Sequence, residues 1–246
     1  MKSVNLILPI RSWKTKLVLQ MLRRPLLDIR FFLCLSLLFL GACQTSSQLN
    51  QYPFFESNQL SKAYDFSSWW EVVVKHEQQK SNFQKCKIEP FSCQGKLRSY
   101  SHIIEQAKNL SREDQIELVH RYINRTPYDD DKVIRHYDQE GTQIGVTRTS
   151  WKTLYDFLIE GGDCEDYATA KYFMLVELGI EVSDLRVVVT YSNKLFGYHA
   201  VLALRQPDNS IWLLDSNYPI KKNSHMGYRW IYAMNEQAVW DHRKVY

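Results

Sequence analysis

The alternation of apolar and polar residues divides the chain into a helical first half and a β-rich second half. Apolar residues recur at helical spacing in three segments, which begin near Ser67, Tyr100 and Ser111. Asp114 stands three residues after Ser111, and this spacing predicts a capped helix start. Runs of β-branched and apolar residues then predict three strands, at 185–191, 198–204 and 211–215. Helices followed by strands predict an α+β fold.

Between the two halves, the sequence Gly161-Gly162-Asp163-Cys164-Glu165-Asp166-Tyr167 predicts the start of another helix. The glycines end the preceding segment, Asp163 stands at the N-cap, and an apolar stripe at helical spacing follows. Cys164 is then the first helical residue, where the helix dipole favours a thiolate. The carboxylates of Asp163, Glu165 and Asp166 oppose this ionisation unless a cation neutralises them. We therefore interpret the stretch as an active site.

Two residues of the predicted strands complete a catalytic arrangement with Cys164. His199 lies in the second strand and Asp215 ends the third. An imidazole can take the thiol proton, and a carboxylate can fix the tautomer of the imidazole and stabilise its charged form. Taken alone, a strand histidine is more often a packed residue, and an aspartate at a strand end more often caps a turn. The combination is what predicts a nucleophile, a base and an orienting group.

The turn between these two strands decides whether His199 and Asp215 can meet. Side chains alternate across a strand, so the two residues share a face only if odd-numbered positions pair with odd-numbered positions. A two-residue turn at 207–208 would set Asp215 opposite Ala200, on the wrong face. We therefore predict a loop of odd length, such as 207–209, or a bulge.

The cysteines indicate an oxidising compartment. Cys86 and Cys93 lie between the first two predicted helices and predict a disulfide that closes a short loop. The alternative is half of a zinc site, although no second Cys/His pair at ligand spacing accompanies it. Cys164 is then the odd thiol, and its position at a helix start favours a reactive cysteine.

The segment 125–150 is the least informative part of the sequence. Residues 139–144 resemble a hairpin turn between short polar strands. The three aspartates at 129–131 could bind a cation, but a run of like charges is usually a solvated face. We interpret these aspartates as solvent-exposed.

Composition and charge exclude one class of partner. A chain of 246 residues with 45% hydrophobic and 13% aromatic residues is typical of one folded domain with a targeting segment. The net charge is +4, but residues 1–42 hold 7 of the 31 Lys and Arg and 1 of the 27 Asp and Glu, so residues 43–246 carry −2. Without a basic patch or a recognition motif, nucleic acid is not expected as a partner.

The N-terminal segment reads as an export signal. A basic region precedes an apolar run at 31–40 that is too short to span a bilayer as a mature helix. Leu40-Gly41-Ala42-Cys43 resembles a bacterial lipobox with Cys43 as the acylated first residue, and the alternative is a plain signal peptide cleaved near Ala42. Met21 is an alternative start. We predict a lipoprotein signal at 1–42, a polar tether at 43–60 and the folded domain at 61–246.

The blocks quoted above resemble the bacterial transglutaminase-like cysteine proteinases, the LapG-type family. The resemblance lies in residues 161–168 with Lys171-Tyr172, in 198–203 and in Leu214-Asp215, and it covers roughly residues 60–246. It implies a papain/transglutaminase-like fold, with a helical N-terminal lobe and a nucleophile helix packed against an antiparallel sheet. It also implies a Cys-His-Asp triad, which maps onto Cys164, His199 and Asp215.

The same resemblance implies a calcium ion held by Asp163, Glu165 and Asp166. Clustered carboxylate oxygens are the ligands that Ca²⁺ prefers, and the ion would relieve their mutual repulsion. The family pattern Trp-x-x-Pro-x-Glu begins here at Trp151, with Leu and Asp in the Pro and Glu places. We predict that Trp151 and the backbone N–H of Cys164 hold the oxyanion.

Together these features predict a lipid-anchored periplasmic cysteine endopeptidase. Gln44, rather than Asp, follows Cys43, and this favours the outer membrane. The resemblance implies a protein substrate, in the best understood members a large surface adhesin whose release disperses biofilm, and an inner-membrane receptor as regulator. Two alternatives stay open, namely acyl transfer of the transglutaminase or amidase type and a catalytically silent calcium-binding module.

Overall fold

The computed structural model describes Phe55 and residues 59–148, 151–222 and 227–243. These residues belong to one folded unit with the bounds Gln48–Tyr246. The predicted signal peptide, the lipidation site Cys43 and most of the predicted tether lie outside the described residues. No helix in the described ranges is both long and apolar enough to cross a membrane.

Five α-helices form the helical part of the described chain. They are α1 (Ser67–Ile88), α2 (Leu97–Lys108), α3 (Arg112–Asn124), α4 (Leu154–Glu160) and α5 (Cys164–Glu177). The Oγ atom of Ser111 accepts a hydrogen bond from the backbone N–H of Asp114, which confirms the predicted cap of α3. Gly161 ends α4 with a φ of +80°, and a Cβ atom there would lie 2.3 Å from the carbonyl oxygen of Pro127. Only glycine therefore fits at this helix end.

Within the described ranges, nine strands form two sheets. Their bounds are β1 (Gln59–Lys62), β2 (Val133–Tyr137), β3 (Gln143–Arg148), β4 (Leu185–Ser192), β5 (Gly197–Arg205), β6 (Ile211–Leu214), β7 (Lys221–Lys222), β8 (Tyr228–Met234) and β9 (Ala238–Asp241). The larger sheet has the order β1-β9-β8-β4-β5-β6-β7, and all its neighbours are antiparallel. Strands β4, β5 and β6 confirm the three predicted strands.

The core lies between the sheet and the helices. Helix α5 packs against β4 and β5 on one side and against α3 and α4 on the other, so it is buried around most of its circumference. Trp69 of α1 is fully buried, stacks against Phe173 of α5, and donates its indole N–H to the carbonyl oxygen of Asn235 at 2.9 Å. Truncating such a residue to alanine costs about 3–5 kcal/mol. The aromatic stripes therefore serve the core, and they hold α5 in place.

The remaining strands form a separate hairpin. Strands β2 and β3 pair with each other through a turn at 138–142, which confirms the hairpin expected around 139–144. The Oδ1 atom of Asp138 accepts hydrogen bonds from the backbone N–H groups of Glu140 and Thr142 at 2.9 and 2.8 Å. An aspartate that binds the following backbone in this way stabilises the turn locally.

The predicted disulfide is present. Cys86, near the end of α1, is bonded to Cys93, with the two Cα atoms 5.7 Å apart. Both sulfur atoms are used in this bond, so the zinc alternative is wrong. Closing a loop with a sequence separation of 7 residues stabilises the fold by about 2–3 kcal/mol in the chain-entropy description. Cys164 is the free thiol among the described cysteines.

Candidate active site

Cys164 is the first residue of α5, as the sequence predicts. Asp163 at the N-cap and Asp166 in the first turn form a capping box, in which each side chain accepts a backbone N–H from the other residue. A Cβ atom at position 162 would lie 2.2 Å from the Oδ2 atom of Asp166. Position 162 therefore requires glycine, because the capping carboxylate of Asp166 occupies the space that a side chain at this position would need.

The turn between β5 and β6 has the odd length that the site requires. The last strand pair is Arg205 with Ile211, and the backbone N–H of Gln206 donates to the carbonyl oxygen of Ser210 at 2.8 Å. The loop is therefore the three residues 207–209, and Asn209 takes a φ of +63°, as such a loop demands of one residue. Odd positions pair with odd positions throughout, so His199 and Asp215 face the same side of the sheet.

His199 and Asp215 form a buried hydrogen-bonded pair. The Nε2 atom of His199 lies 3.1 Å from the Oδ1 atom of Asp215, and the two side chains are 2% and 0% exposed. Because an ionised carboxylate only accepts, Nε2–H is the donor. This contact fixes the imidazole tautomer and leaves Nδ1 as the ring nitrogen that can accept a thiol proton.

Three further donors surround Asp215. The backbone N–H of Asn217 donates to Oδ1 at 2.8 Å, the hydroxyl group of Tyr228 donates to Oδ2, and the side-chain amide of Asn124 donates to the backbone carbonyl oxygen at 3.0 Å. Burial alone would raise the pKa of Asp215, but the hydrogen bond and charge of His199, with the bonds from Asn217 and Tyr228, hold it below its ordinary value. Asp215 is therefore a carboxylate at neutral pH.

The sulfur of Cys164 lies beside strand β5. The backbone N–H of Ala200, the residue that follows His199, favours the thiolate form and so lowers the pKa of Cys164 slightly, and the S–H of Cys164 donates to the Oε2 atom of Glu165 at 3.2 Å. Burial raises the pKa of the thiol, and the charges of Glu165 and Asp163 raise it further. In the metal-free protein these effects exceed the influence of the helix dipole, so the carboxylates keep the sulfur protonated.

Three carboxylates next to this sulfur form a potential metal site. One oxygen atom from each of Asp131, Asp163 and Glu165 lies within 4.8 Å of the other two. Burial, followed by the charge of Asp163, raises the pKa of Glu165 to about 8, and burial also raises the pKa of Asp163. Half-buried carboxyl groups in such proximity oppose one another's ionisation, and a hard divalent cation with a preference for oxygen ligands, such as Ca²⁺, would favour their ionised forms and suits the cluster.

The cluster contains two of the three predicted ligands, with Asp131 in place of Asp166. The interpretation of 129–131 as a purely solvated face was therefore wrong for Asp131. A backbone bridge between Tyr128 and Gly162, with the N–H of Asp129 donating to the Gly162 carbonyl oxygen at 3.0 Å, brings this segment to the start of α5. Both oxygens of Asp166 instead accept backbone N–H groups, from Lys152 at 2.6 Å and Asp163 at 3.3 Å.

Trp151 is half-buried and packs against the core. Its ring packs edge-on against Trp69 with 6.2 Å between centroids. The backbone N–H of the next residue, Lys152, donates to Asp166, so this segment is tied to the first turn of α5. The assignment of Trp151 as an oxyanion donor stays a prediction.

The sequence did not single out three residues that act on Asp215. Tyr228 and Asn124 contact it through the hydrogen bonds given above, and the charge of Lys171 interacts with its carboxylate. Lys171 belongs to the block that carries the family resemblance, and this was its one signal in the sequence. Tyr228 and Asn124 carry no local signal, because they come from strands and helices distant along the chain.

Helices on an antiparallel sheet, with a helix-start cysteine beside the strand that carries a buried histidine, are typical of a cysteine peptidase of the transglutaminase-like class. The chain matches the family model of bacterial transglutaminase-like cysteine proteinases (BTLCP) over residues 79–244. It belongs to that family and is a cysteine peptidase, a hydrolase. No curated protein sequence matches the chain.

Several solved structures resemble it. Legionella pneumophila LapG shares 28% sequence identity, with 65% of this chain and 87% of LapG covered at a TM-score of 0.53. The calcium-bound form of LapG gives 26% identity, 66% and 88% coverage and a TM-score of 0.54. The EGTA-treated form gives 27% identity, 66% and 87% coverage and a TM-score of 0.53. The likeness confirms the transglutaminase-like fold that the sequence predicts.

Proposed function

We propose that this protein is a calcium-dependent cysteine endopeptidase with Cys164 as nucleophile, His199 as general base and then acid, and Asp215 as the orienting group. The observation that carries the proposal is the buried contact of 3.1 Å between Nε2 of His199 and Oδ1 of Asp215, with the Cys164 sulfur beside Ala200, the next residue of the strand that carries His199. A strand histidine that was merely packed would not need a fully buried carboxylate on one ring nitrogen and a thiol beside its backbone.

The chemistry follows from this arrangement. Nδ1 of His199 takes the proton of the Cys164 thiol, and the sulfur attacks the carbonyl carbon of a peptide bond. The imidazolium then donates its proton to the leaving amine, which departs and leaves a thioester on the sulfur. A water molecule, activated by the neutral imidazole, hydrolyses the thioester. The backbone N–H of Cys164 and a donor from Trp151 stabilise the oxyanion in both steps.

Calcium belongs in this proposal because of the charge next to the sulfur. Asp131, Asp163 and Glu165 would hold the ion, and calcium-bound and EGTA-treated forms of LapG have been solved. The bound ion supplies positive charge where the carboxylates otherwise raise the pKa of the thiol. With that charge compensated, the Cys164 thiol can transfer its proton to His199 and become a thiolate.

Location and substrate are proposed from the sequence. The apolar run at 31–40 and Leu40-Gly41-Ala42-Cys43 support export and acylation at Cys43, with the domain in the periplasm on the outer membrane. The resemblance to LapG supports a cell-surface adhesin as the protein substrate, whose release controls biofilm, and an inner-membrane receptor as a regulatory partner. The Cys86–Cys93 disulfide agrees with an oxidising compartment.

A substitution series tests the proposed nucleophile and base. Cys164→Ala and His199→Gln are each expected to lower kcat at least a thousand-fold on a protein or peptide substrate, because the acyl-enzyme can no longer form. His102→Gln, an exposed histidine on α2, is the matched control and should leave activity unchanged. Full proteolysis by Cys164→Ala would contradict the proposal.

The product mass separates hydrolysis from acyl transfer. Hydrolysis adds one water to the cleaved carbonyl fragment, whereas transfer adds the acceptor amine. We expect the water adduct even when a primary amine is present in solution. A wild-type protein that binds calcium but cleaves no substrate, including the adhesins of its own cell, would instead identify a silent binding module.

A further inference from the structure

Lys152 contacts the turn at the start of α5 on both sides of the nucleophile. Its backbone N–H donates to the Oδ1 atom of Asp166 at 2.6 Å, two residues after Cys164. Its ammonium group donates to the backbone carbonyl oxygen of Gly161 at 2.8 Å, three residues before Cys164. Lys152 therefore brackets the segment 161–166, on which the position of the Cys164 sulfur depends.

The same ammonium group lies next to the acidic segment, residues 128–131, which carries the candidate calcium ligand Asp131. Its Nζ atom is 3.8 Å from the Oδ2 atom of Asp129. The backbone N–H of Asp129 in turn donates to the carbonyl oxygen of Gly162 at 3.0 Å. One cation is thus shared by the acidic segment and by the start of α5.

A contribution to stability does not fully account for this lysine. Its Nζ atom lies at the C-terminal end of α4, where unpaired carbonyl groups favour a positive charge, and it is 3.8 Å from the Oε2 atom of Glu160. The side chains of Asp129 and Glu160 are 42% and 61% exposed, and ion pairs with such exposed partners contribute little. A surface lysine normally keeps its ammonium group in water, yet the side chain of Lys152 is 15% exposed.

By its charge alone, Lys152 opposes calcium binding. Its charge acts on Asp163 of the carboxylate cluster, where it opposes the rise in the pKa of that group, and a positive charge at this place repels a divalent cation. The contacts of Lys152 have the opposite effect, because a residue that holds Asp131 close to Asp163 organises the site before the ion binds. The two effects differ in sign, so an experiment can separate them.

We propose that Lys152 is a positioning residue, which ties the acidic segment to the start of α5 and so holds Asp131 and Cys164 in place together. The inference rests on the proposed function, in which calcium binds beside the nucleophile. Lys152 takes no part in the chemistry itself. It acts through the backbone of 161–166 and through the side chain of Asp129.

The first experiment measures this tie without calcium or substrate. Amide hydrogen exchange is followed in EGTA in the wild type, in Lys152→Met and in Lys132→Met. The N–H of Asp129, which is bonded to Gly162, should exchange about ten-fold faster in Lys152→Met. Lys132 is the matched control, because its Nζ atom lies 3.8 Å from the same Oδ2 atom but its side chain is 72% exposed. Lys132→Met should leave the exchange of Asp129 as it is in the wild type.

A fully buried residue of β5, Leu202, reports global stability in the same spectra. Its exchange should be the same in all three proteins. An unchanged rate at Asp129 in Lys152→Met would overturn the proposal, and so would a rise that Leu202 shares in full, because the lysine would then be purely structural. If Lys152→Met does not fold, Asp129→Asn removes the other partner. The protection factor at position 129 should fall about five-fold, and an unchanged value would likewise overturn the tie.

The second experiment measures the calcium Kd by isothermal titration calorimetry. Lys152→Met should raise the Kd about ten-fold, as loss of a residue that orients metal ligands does, whereas Lys132→Met should leave it equal or lower it. A Kd that stays equal or falls in Lys152→Met would show that the lysine acts by charge alone, which would overturn the proposal. In a double-mutant cycle, Asp129→Asn should raise the Kd less in Lys152→Met than in the wild type. Independent effects of the two substitutions would exclude Asp129 as the partner.

The third measurement separates this inference from the proposed function. At saturating calcium, kcat of Lys152→Met is expected to fall about ten-fold with KM unchanged, because the nucleophile is less well placed for attack. An unchanged kcat would overturn the claim that Lys152 holds Cys164. Full proteolysis by Cys164→Ala would contradict the proposed function instead, and the exchange of Asp129 would still decide the role of Lys152.

Discussion

The hydroxyl group of Tyr228, on β8, donates a hydrogen bond to the Oδ2 atom of Asp215, the oxygen that His199 leaves unused. Each oxygen of the buried carboxylate thus has its own side-chain donor, and the two donors come from different strands of the sheet. The ring of Tyr228 also lies 5.7 Å from that of His199, so the tyrosine both packs beside the imidazole and fixes its partner. The sheet therefore determines the position of Asp215 through hydrogen bonds on both sides.

Tyr228→Phe tests this role. The variant keeps the ring and its packing against Trp230, but it removes one hydrogen bond to an ionised, fully buried group. Such bonds contribute about 1.5–3 kcal/mol, so kcat is expected to fall about ten- to a hundred-fold with KM unchanged. Steady-state kinetics on one peptide substrate measures the effect. Tyr232→Phe on the same strand is the matched control, and an equal loss in both variants would show that the effect is not specific to Asp215.

Asp131→Asn tests the composition of the calcium site. Replacing one of three mutually repelling carboxylates should stabilise the protein in EGTA, whereas in millimolar calcium the variant should be less stable than the wild type because it binds the ion more weakly. We expect a rise in the calcium Kd of at least ten-fold, measured by isothermal titration calorimetry, and opposite shifts of Tm in the two media.

The control for this experiment is Asp130→Asn, which removes a neighbouring exposed carboxylate that is not in the cluster. Its calcium Kd should change by less than two- to three-fold, since its charge acts through solvent. If Asp131→Asn binds calcium as tightly as the wild type, Asp131 is not a ligand. The calcium Kd of Asp166→Asn tests, in the same way, whether Asp166, the ligand that the sequence favoured, binds the ion.

The parts of the site that the sequence predicts are those fixed by local rules. The start of α5 follows from two glycines and an N-cap aspartate, and the shared face of His199 and Asp215 follows from strand alternation with a three-residue loop. Each rule uses residues within a few positions of one another. The helix position of Cys164 and the pairing of His199 with Asp215 could therefore be anticipated from the sequence before the fold was known.

The parts that the sequence did not predict depend on contacts between distant segments. Asp131 reaches the cluster because Tyr128 pairs with Gly162, and nothing local to the acidic run indicates that bridge. A lysine on a helix is normally read as solvent-exposed, but α5 is covered by the sheet on one side and by helices on the other, which buries Lys171. The raised pKa of Cys164 likewise comes from burial, which opposes the effect of the helix dipole.

His76→Phe tests how buried histidines make the fold sensitive to acid. His76 stacks on Phe173 at 3.8 Å, and burial lowers its pKa from 6.5 to about 4. Between these two values the unfolded chain binds a proton that the folded protein does not, so stability falls as pH decreases from about 6.5 towards 4. The phenylalanine variant keeps the stack and removes the group that binds this proton. As pH decreases across the window, its free energy of unfolding should therefore fall less steeply than that of the wild type, by up to about 1.4 kcal/mol per pH unit.

Denaturant unfolding at several pH values in constant calcium measures that slope. His102→Phe changes an exposed histidine on α2 and should leave the slope as in the wild type. A slope that is the same in His76→Phe and in the wild type would mean that His76 is protonated equally in the folded and unfolded states. That result would contradict its neutral, buried character.

Gly162→Ala tests whether the start of α5 tolerates any side chain before the nucleophile. The added Cβ atom would lie 2.2 Å from Oδ2 and 2.6 Å from the Cβ atom of Asp166, so the aspartate must leave its capping position. Loss of the cap and the forced shift are expected to destabilise the protein by about 1–3 kcal/mol and to lower kcat more than ten-fold, because Cys164 moves with the first turn. Gly145→Ala, where the nearest atom to a Cβ is 3.8 Å away, is the control and should change neither quantity. If Gly162→Ala is as active and stable as Gly145→Ala, the position of Cys164 does not depend on the capping box.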